Sequence, residues 1–594
     1  MSNVIDHFMW SYQQHFRIGK QGDAKSIFEM LDDRIDPELF LVGILVEVNK
    51  QKYPACVEPE NEFWIQSEAF NSTLKNARKI KQAYPENSHF HSHPIAHEKH
   101  DKALFLRSVR DAIKKIIDEK STNKKYYYVS VPTKVDCYLV SIVLSLSKAI
   151  VDLYPALNSS QAPIHEFLSA DVTTSLIDAT IDNYLEKASN ELNSPNPGEE
   201  YSRLNAEEVV RESGQKFVTD MAFRASNTCV GGWHGLFDAC NRIASTFYEK
   251  SVGKGSFVLT AKSHHSIQTI IEFTTPADLG DTRGARKFLE LALQDLAIHT
   301  DSEKIYGLVK FKFDDENEEK VFLINILDHH HWEIRHFNKV LMRVKYGLPY
   351  LPKPTFNEDK LRDDLPRLFK DITEKQSDRI VDLVKGAEKE EHGTMLVISK
   401  RANTEAKRLG KQATLIKPKI LTTKILSSLT SIDGAVLINP RGTCYAIGVI
   451  LDGMANEDGD PSRGSRYNSA LRYVKTLKDP CLAIVISEDG GIDFIPDLKP
   501  TLRESDIRKR INLLENVAKQ DSISQKEYRD YTKTMDWFDK HRFYLLEEHC
   551  EKINQFMGNV ELKFEFEGSV RPRIIYQSFV HNPEFDEDLF YIDE

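Results

Sequence analysis

The sequence lacks the features that would place the protein in a membrane or outside the cell. Its longest apolar stretch, around 138–146, is well short of the roughly 20 residues that a membrane-spanning helix needs. The N-terminus, MSNVIDHFMW, has no basic region followed by an apolar run, as a secretory signal would. The seven cysteines are scattered and include no CxxC pair, which argues against a disulfide framework or a zinc finger. We therefore expect a cytoplasmic protein without a membrane-spanning segment.

The chain also lacks a strong excess of positive charge. Its net charge is −11 and is spread along the sequence, which disfavours a protein built to bind duplex nucleic acid. Hydrophobic residues make up 41% of the chain and charged residues 28%, values typical of globular proteins rather than disordered ones. Since 594 residues exceed what one hydrophobic core supports, we expect several domains.

Two proline-rich segments divide the chain. The first, SPNPGEE at 194–200, resists both helix and strand, and the second, GLPYLPKP at 347–354, should be extended and stiff. We predict an N-terminal α+β module at 1–200, a second α+β module at 201–355, an α/β domain at 356–500 and a helical region with an acidic tail at 501–594.

Hydrophobic patterns predict the main elements outside the α/β domain. In the first module, 125–132 is predicted to be a strand and 139–153 a long apolar helix. In the second module, strands are predicted at 256–261, 267–274, 307–313 and 321–327. Beyond 501 the pattern is helical, with Ser524 and Glu527 at the spacing of a capping box. The end, PEFDEDLFYIDE, is interpreted as a loose tail or a docking strip.

The segment 393–495 alternates strands with helices in the manner of a nucleotide-binding α/β domain. Strands are predicted at 393–399, 413–416, 436–439, 444–451 and 481–486, and helices at 403–409, 420–429 and 469–477. The predicted fold class is therefore α/β within an α+β multidomain chain, with a mixed sheet preceded by two α+β modules and followed by helices.

Polar residues lie where these elements begin or end. Asp433, Gly434 and Ala435 lead into one strand, and Ser487 and Glu488 follow another before a glycine turn. A long Gly/Asp-rich loop at 452–464 ends in the sequence Gly464, Ser465, Arg466, Tyr467, Asn468. Ser465 is predicted to cap the next helix, so that backbone N–H groups and the Arg466 guanidinium face one anion, with phosphate the obvious candidate. Asp433, Arg466 and Glu488 are predicted to converge.

These residues carry a resemblance to a known family. The tripeptide DGA at 433–435, GSR at 464–466 opening a helix, and SE at 487–488 before a glycine turn resemble the diadenylate cyclase (DAC) domain. The resemblance extends to the order of strands and helices from about 375 to 496. It implies a domain that binds ATP with Mg²⁺ or Mn²⁺ and pairs face to face with a second copy, joining two ATP molecules into the second messenger cyclic di-AMP.

The resemblance also implies roles for individual residues. Asp433 would bind metal or activate the attacking hydroxyl, and Glu488 would be the second metal ligand. Asp433, Arg466 and Glu488 would be the catalytic residues. The nucleotide-binding set would be Gly434, Ala435, Gly464, Ser465, Arg466, Tyr467, Asn468 and Ser487. A homodimer or higher homo-oligomer is implied, and we expect the two N-terminal modules to bind a ligand or protein that controls the pairing.

One departure from the family pattern favours a second hypothesis. The family continues its loop as arginine, histidine, arginine, whereas this chain has Arg466, Tyr467 and Asn468. Loss of one charge-assisted hydrogen bond near a triphosphate costs about 1.5–3 kcal/mol. The alternative is therefore a nucleotide-binding sensor without turnover, unless Arg463 or Lys475 replaces the missing charge.

A histidine cluster at 89–100 supports a third hypothesis, a metal-dependent hydrolase. His89, His91 and His93 alternate along the chain and, with His97 and His100, could chelate a metal, for which Glu47 or Asp111 could supply a carboxylate. The piece HSHP weakly resembles the JAMM metalloprotease motif, although its gap to Ser108 and Asp111 is too long. A polar loop is the competing interpretation.

Two further segments could be functional or merely structural. The run DHHHWE at 328–333 is either a metal or phosphate site or a turn whose Trp332 packs inward, and His264 and His265 are interpreted as surface histidines. The run TCVGGWHG at 228–235 is either a Cys/His nucleophile or a tight packed turn.

Overall fold

The structure is a computed structural model. It describes residues 8–47, 52–60, 63–88, 92–121, 124–165, 168–200, 202–226, 235–247, 255–292, 296–313, 318–337, 339–352, 356–388, 393–429, 432–453, 464–486, 491–563 and 576–592. The chain divides into two compact units, Met1–Thr355 and Phe356–Glu594. No helix of the described residues is both long and apolar enough to cross a membrane.

The first unit begins with an antiparallel sheet of order β2-β1-β5-β3, in which β4 also pairs with β5. Its strands are β1 (Glu38–Leu45), β2 (Ala55–Glu58), β3 (Lys125–Val129), β4 (Thr133–Val135) and β5 (Tyr138–Ser147). The strands β6 (Gln161–His165) and β7 (Leu168–Asp171) form a separate hairpin. The helices are α1 (Gln13–Glu29), α2 (Thr73–Ala83), α3 (Pro94–Lys120), α4 (Lys148–Val151), α5 (Leu176–Glu191), α6 (Ala206–Ser226) and α7 (Leu236–Ser245).

The helix predicted at 139–153 is wrong. Residues 138–147 form β5, which runs along β1 on one side and along β3 and β4 on the other. Both faces of β5 are covered: Val140 and Ile142 lie in one apolar core, whereas Leu139 and Val143 lie in another. A strand buried on both faces has no polar alternation, so its pattern cannot be distinguished from that of a buried helix.

The second part of the first unit is one eight-stranded sheet of order β15-β14-β13-β12-β8-β10-β11-β9. Its strands are β8 (Gly255–Leu259), β9 (Ile267–Asp278), β10 (Leu296–Thr300), β11 (Lys304–Phe311), β12 (Phe322–Asp328), β13 (His331–His336), β14 (Lys339–Lys345) and β15 (Leu348–Tyr350). One helix, α8 (Thr282–Leu289), joins β9 to β10. The four strands predicted here are confirmed; the other four strands lacked a clear apolar run.

The second unit contains a mixed sheet of order β17-β19-β18-β16-β20-β21. Its strands are β16 (Thr394–Ser399), β17 (Thr414–Ile420), β18 (Ala435–Ile438), β19 (Thr443–Val449), β20 (Cys481–Ile486) and β21 (Ile492–Ile495). The helices are α9 (Glu358–Leu368), α10 (Glu374–Glu388), α11 (Ala402–Arg408), α12 (Thr423–Leu429) and α13 (Ser465–Thr476). Leu396 and Leu426 lie in one apolar core and Val397 and Tyr473 in another, so helices cover both faces of the sheet. The α/β expectation is confirmed.

The rest of the second unit is helical. It comprises β22 (Leu502–Arg503), α14 (Glu504–Ala518), α15 (Gln525–Lys540), α16 (Glu547–Lys563), α17 (Glu587–Phe590) and β23 (Tyr591–Ile592). The capping box is present, since Ser524 and Glu527 each accept the backbone N–H of the other. The acidic end is a docked strip: β23 pairs with β22, and Phe585 and Phe590 are buried against the α/β domain of the same unit.

Candidate nucleotide-binding site

The DGA turn projects a carboxylate from the start of β18. Gly434 has a φ of +105°, and a Cβ built on it would lie 2.7 Å from the carbonyl carbon of Gly448 on β19. Only glycine fits this close approach without strain. Ala435 is then fully buried in the sheet, whereas the side chain of Asp433 remains 93% exposed. The turn therefore holds one carboxylate at the end of the sheet, in solvent.

The helix α13 begins at this end of the sheet, but Ser465 does not cap it. The N-cap residue is Gly464, whose extended backbone has φ −65° and ψ 166° and offers no side chain. The backbone N–H of Asn468 donates to the Gly464 carbonyl at 3.2 Å. The N–H groups of the three preceding helical residues have no carbonyl within the helix to bond, and together with the helix dipole they favour an anion there.

The structure brings Asp433 and Arg466 together, as the sequence predicted. The Nη2 atom of Arg466 lies 3.6 Å from Oδ1 of Asp433, and the arginine side chain is 34% exposed. An exposed ion pair at this distance contributes about 0–1 kcal/mol to stability, so it is weak as a structural element. It does place a cation and a carboxylate side by side at the first turn of α13.

Tyr467 and Asn468, the two residues that depart from the family pattern, have different surroundings. Tyr467 is partly buried against the apolar core beneath α13. Asn468 is on the helix and its Nδ2 donates to the Gly464 carbonyl at 3.3 Å. Neither brings a second positive charge to the first turn of α13.

Ser487 and Glu488 lie outside the described residues, but the strand before them is informative. Ile486 ends β20 and pairs with Thr394 at the start of β16, and the next residue of β16, Met395, pairs with Ala435. The chain thus leaves β20 at the same end of the sheet from which Asp433 projects, two strands away. This register agrees with the predicted convergence.

A polar network behind the site holds α13 in place, and sequence reasoning missed it. The Tyr473 hydroxyl donates to Oε2 of Glu405 at 2.8 Å, and Arg408 donates to both Glu405 and Asp452. Burial, together with the hydrogen bond to Glu405, raises the pKa of Tyr473, so its hydroxyl stays protonated and remains a donor. Asp452 is the first residue of the Gly/Asp-rich loop. The network therefore links α11, α13 and the start of that loop. In the sequence, the only indication of this network was that Glu405 and Arg408 are spaced to interact on one helix.

The donor set suits a hard divalent cation that arrives with its nucleotide. Mg²⁺ in proteins is bound by one or two carboxylates plus phosphate oxygens and retained waters. Asp433 offers exposed carboxylate oxygens beside an anion-attracting helix terminus, which fits that mode. No histidine or cysteine of the described residues joins Asp433 in a potential metal cluster; the two clusters found there lie elsewhere, at His264, His265 and Glu318 and at Glu504, Glu548 and His549.

Comparison with known families decides the assignment of this region. Residues 381–497 match the family described as DisA bacterial checkpoint controller nucleotide-binding, DAC. Residues 381–497 are a DAC domain. Residues 9–218 match the family described as probable sensor domain DACNG, and residues 234–338 match probable sensor domain DACNH. The predicted DAC-like domain behind sensor-like modules is therefore confirmed.

Solved structures share only a limited part of the DAC-containing chain. A double mutant of DacA from Staphylococcus aureus is 16% identical over 20% of this chain and 83% of its own, with a TM-score of 0.18. A hypothetical membrane spanning protein from Bacillus cereus is 23% identical over 21% of this chain and 62% of its own, also with a TM-score of 0.18. No curated protein matches the chain.

The histidine-based alternative receives no support from the residues that the structure describes. His89 and His91 lie outside them. His93 precedes α3 as its N-cap residue, and a ring nitrogen of His100 lies 3.2 Å from the Glu86 carbonyl oxygen. Asp111 accepts hydrogen bonds from Tyr84 and Arg110, and Glu47 pairs with Lys134. Both carboxylates considered as ligands are thus occupied by other partners.

Of the remaining conspicuous segments, the run at 328–333 is a structural turn, whereas His264 and His265 belong to a potential metal cluster. Trp332 is fully buried and its Nε1 donates to Asn241 at 2.8 Å, as expected for a turn whose tryptophan packs inward. His265 is exposed, but His264 is more buried, and both approach Glu318. Residues 228–234 lie outside the described residues.

Proposed function

We propose that this chain joins two nucleoside triphosphates into a cyclic dinucleotide, with ATP and cyclic di-AMP as the first candidates. The proposal is carried by the Asp433–Arg466 pair at the first turn of α13, within a DAC domain. One carboxylate, one guanidinium and several backbone N–H groups are what a triphosphate with a bound Mg²⁺ or Mn²⁺ needs.

In the proposed reaction, the ribose 3′-oxygen of one nucleotide attacks the α-phosphorus of the other. The new phosphodiester bond forms as the bond to the pyrophosphate oxygen breaks, and two such steps release two pyrophosphates. Asp433 orients the attacking hydroxyl or accepts its proton at a carboxylate oxygen, with Glu488 proposed beside it. Arg466 and the N–H groups of α13 bind phosphate oxygens and offset the charge that develops in the transition state. A bound divalent metal would supply further charge neutralisation.

The exposure of the site supports an active form that contains two copies of the chain. The Asp433 side chain is 93% exposed, so it is open to a nucleotide held by a facing copy. We propose that pairing of two DAC domains completes each site and that the modules predicted at 1–200 and 201–355 control that pairing. A monomer under turnover conditions that still forms product would contradict this scheme.

The decisive experiment is incubation of the purified full chain with each of the four nucleoside triphosphates in Mg²⁺ or Mn²⁺, followed by mass spectrometry. A cyclic dinucleotide should form, and Asp433→Asn should lower its rate by roughly 10²-fold or more, the scale of losing a transition-state contact. Asp521→Asn is the matched control, because Asp521 is exposed and has no ion pair among the described residues. Unchanged nucleotides throughout would reject the cyclase, and equal loss in both variants would reject the role of Asp433.

The positions of Tyr467 and Asn468 favour a second candidate function, a nucleotide-binding sensor without turnover. Neither residue supplies the positive charge that the family pattern places after Arg466. If that charge limits the chemistry, Asn468→Arg should raise product formation by roughly tenfold or more, the value of one charge-assisted hydrogen bond. Tight ATP binding by the unmodified chain with no product, and none in Asn468→Arg, would favour the sensor.

A further inference from the structure

An open cleft of about 730 Å³ lies in the first unit, within the region matched by the DACNG family. Its floor is the edge of the five-stranded sheet at 129–134, where the chain leaves β3 and enters β4. The helix α3 forms one wall and α5 the other. The volume is in the range of sites that bind small organic molecules. The residues that line it include Val46, Lys102, Arg110, Val131, Asp182 and Glu186.

The two walls of the cleft carry opposite charges. Lys102 and Arg110 project from α3, whereas Asp182 and Glu186 project from α5. Within the described part of the chain, Lys102 and Glu186 make no ion pair, whereas Arg110 is paired with Asp111 at 2.8 Å. Asp182 has only a long contact, 3.6 Å, with Nζ of Lys216. An occupant that bears a negative charge at one end and a positive charge at the other would satisfy both walls.

The floor between the charged walls is mainly apolar, although Ser130, Thr133 and Lys134 also line it. Val46 and Val131 are 37% and 43% exposed, which is unusual for valines that lie beside buried residues such as Leu139. Covering these side chains would remove apolar surface from water, a favourable process of about 25 cal/mol per Å². The occupant should therefore be apolar between its two charges.

The sheet edge adds a third form of recognition. The N–H of Ser130 donates to the carbonyl of Ile142 on β5, so the backbone groups of its neighbour Val129 point away from β5 in the alternating antiparallel pattern. Among the described residues, none pairs with those outward groups of Val129. Pro132 then interrupts the edge before β4. An exposed sheet edge pairs readily with the backbone of an extended peptide.

We propose that this cleft binds a short apolar peptide with free termini, its ammonium group at Asp182 and Glu186 and its carboxylate at Lys102 and Arg110. This assignment rests on the proposed function, because it names the ligand class through which the N-terminal module would control cyclase activity. Partial desolvation and the nearby Asp178 raise the pKa of Asp182 to about 6, although its side chain is 54% exposed. A bound ammonium would offset that unfavourable environment for the charged carboxylate.

The test is isothermal titration calorimetry of the full chain with leucyl-leucine and valyl-valine, and with their N-acetylated amides as blocked probes. The free dipeptides should bind and the blocked ones should not. Lys102→Met and Glu186→Gln should each weaken binding by roughly tenfold or more, since each removes a charge-assisted hydrogen bond. The matched controls Lys99→Met and Glu207→Gln change exposed residues outside the cleft and should bind normally.

Three results would overturn the assignment: no heat from either free dipeptide at millimolar concentration, equal binding of free and blocked probes, or equal loss in the cleft and control variants. The same preparation is assayed for cyclic dinucleotide formation from ATP. Dipeptide binding without any product would leave the cleft assignment standing and reject the cyclase. Product without dipeptide binding would leave the cyclase standing and reject the peptide as its regulator.

Discussion

Substitution of alanine at Gly434 tests how the structure positions Asp433. The native φ of +105° lies in the region that side chains rarely adopt, and such strain costs about 1–3 kcal/mol. The added Cβ would also lie 2.7 Å from the carbonyl carbon of Gly448 and 3.0 Å from the Val449 nitrogen, where only backbone can yield. Overpacking of this kind costs roughly a further 1–3 kcal/mol. The total expected loss is about 2–6 kcal/mol.

Hydrogen exchange of the full chain, measured by mass spectrometry, reports this loss of stability in the strands next to Gly434. Amides of β18 and β19 should exchange roughly 30-fold faster or more in Gly434→Ala, because each 1.4 kcal/mol is tenfold in an opening equilibrium. The eight-stranded sheet of the other unit is the internal reference. Cyclic dinucleotide formation should fall in parallel, since Asp433 precedes the strained turn.

Gly464→Ala is the matched control at the other half of the site. Its backbone is extended, and a Cβ built on Gly464 meets no atom within 4 Å. The only expected cost is a slightly poorer N-cap, a few tenths of a kcal/mol to about 1 kcal/mol. Exchange in β18 that is within threefold of wild type in Gly434→Ala, or equal effects of the two variants, would refute the steric account of the DGA turn.

Three further outcomes are expected. Glu319→Gln should destabilise the first unit by roughly 3–5 kcal/mol in calorimetric unfolding, because it leaves the buried Arg224 guanidinium, 3.2 Å away, without its counter-charge. The pKa of Asp182 is raised to about 6 in the folded protein, so the wild type loses stability as pH rises from about 4 to 6, and this contribution is constant above that range. Asp182→Asn lacks this loss. Its melting temperature should therefore increase relative to that of the wild type across this window. Ser524→Ala should lower protection of the first turn of α15 by about 1 kcal/mol in hydrogen exchange, since it removes the capping box.

Short-range patterns predicted the elements of the DAC domain well. The strands β16, β18 and β20 are fully buried apolar runs bounded by turns, which is why their limits could be read to within a residue or two. The capping box before α15 was equally local, since both of its hydrogen bonds join residues three apart. In these cases the physical cause and the sequence signal occupy the same few residues.

Errors arose where neighbours in space decided the outcome. The run at 138–147 became a strand because β1, β3 and β4 offer it backbone partners on both sides. Ser465 was expected to cap a helix at 469–477, yet α13 begins at Ser465 itself, four residues before the predicted start, with Gly464 at the cap. The acidic end was interpreted as a loose tail or a docking strip, and its phenylalanines dock on the α/β domain, so contacts in space decided between the two.

By itself the sequence determined the α/β class of the DAC domain and the absence of a long apolar run, and it supplied the polar residues proposed for the site, because each depends on residue type and local spacing. Only the tertiary structure decided that Asp433 and Arg466 lie 3.6 Å apart, that Glu405 and Tyr473 brace α13, and that two oppositely charged walls enclose a cleft. Those features join residues from separate strands and helices, and their distances depend on strand register and helix packing, which no local pattern encodes.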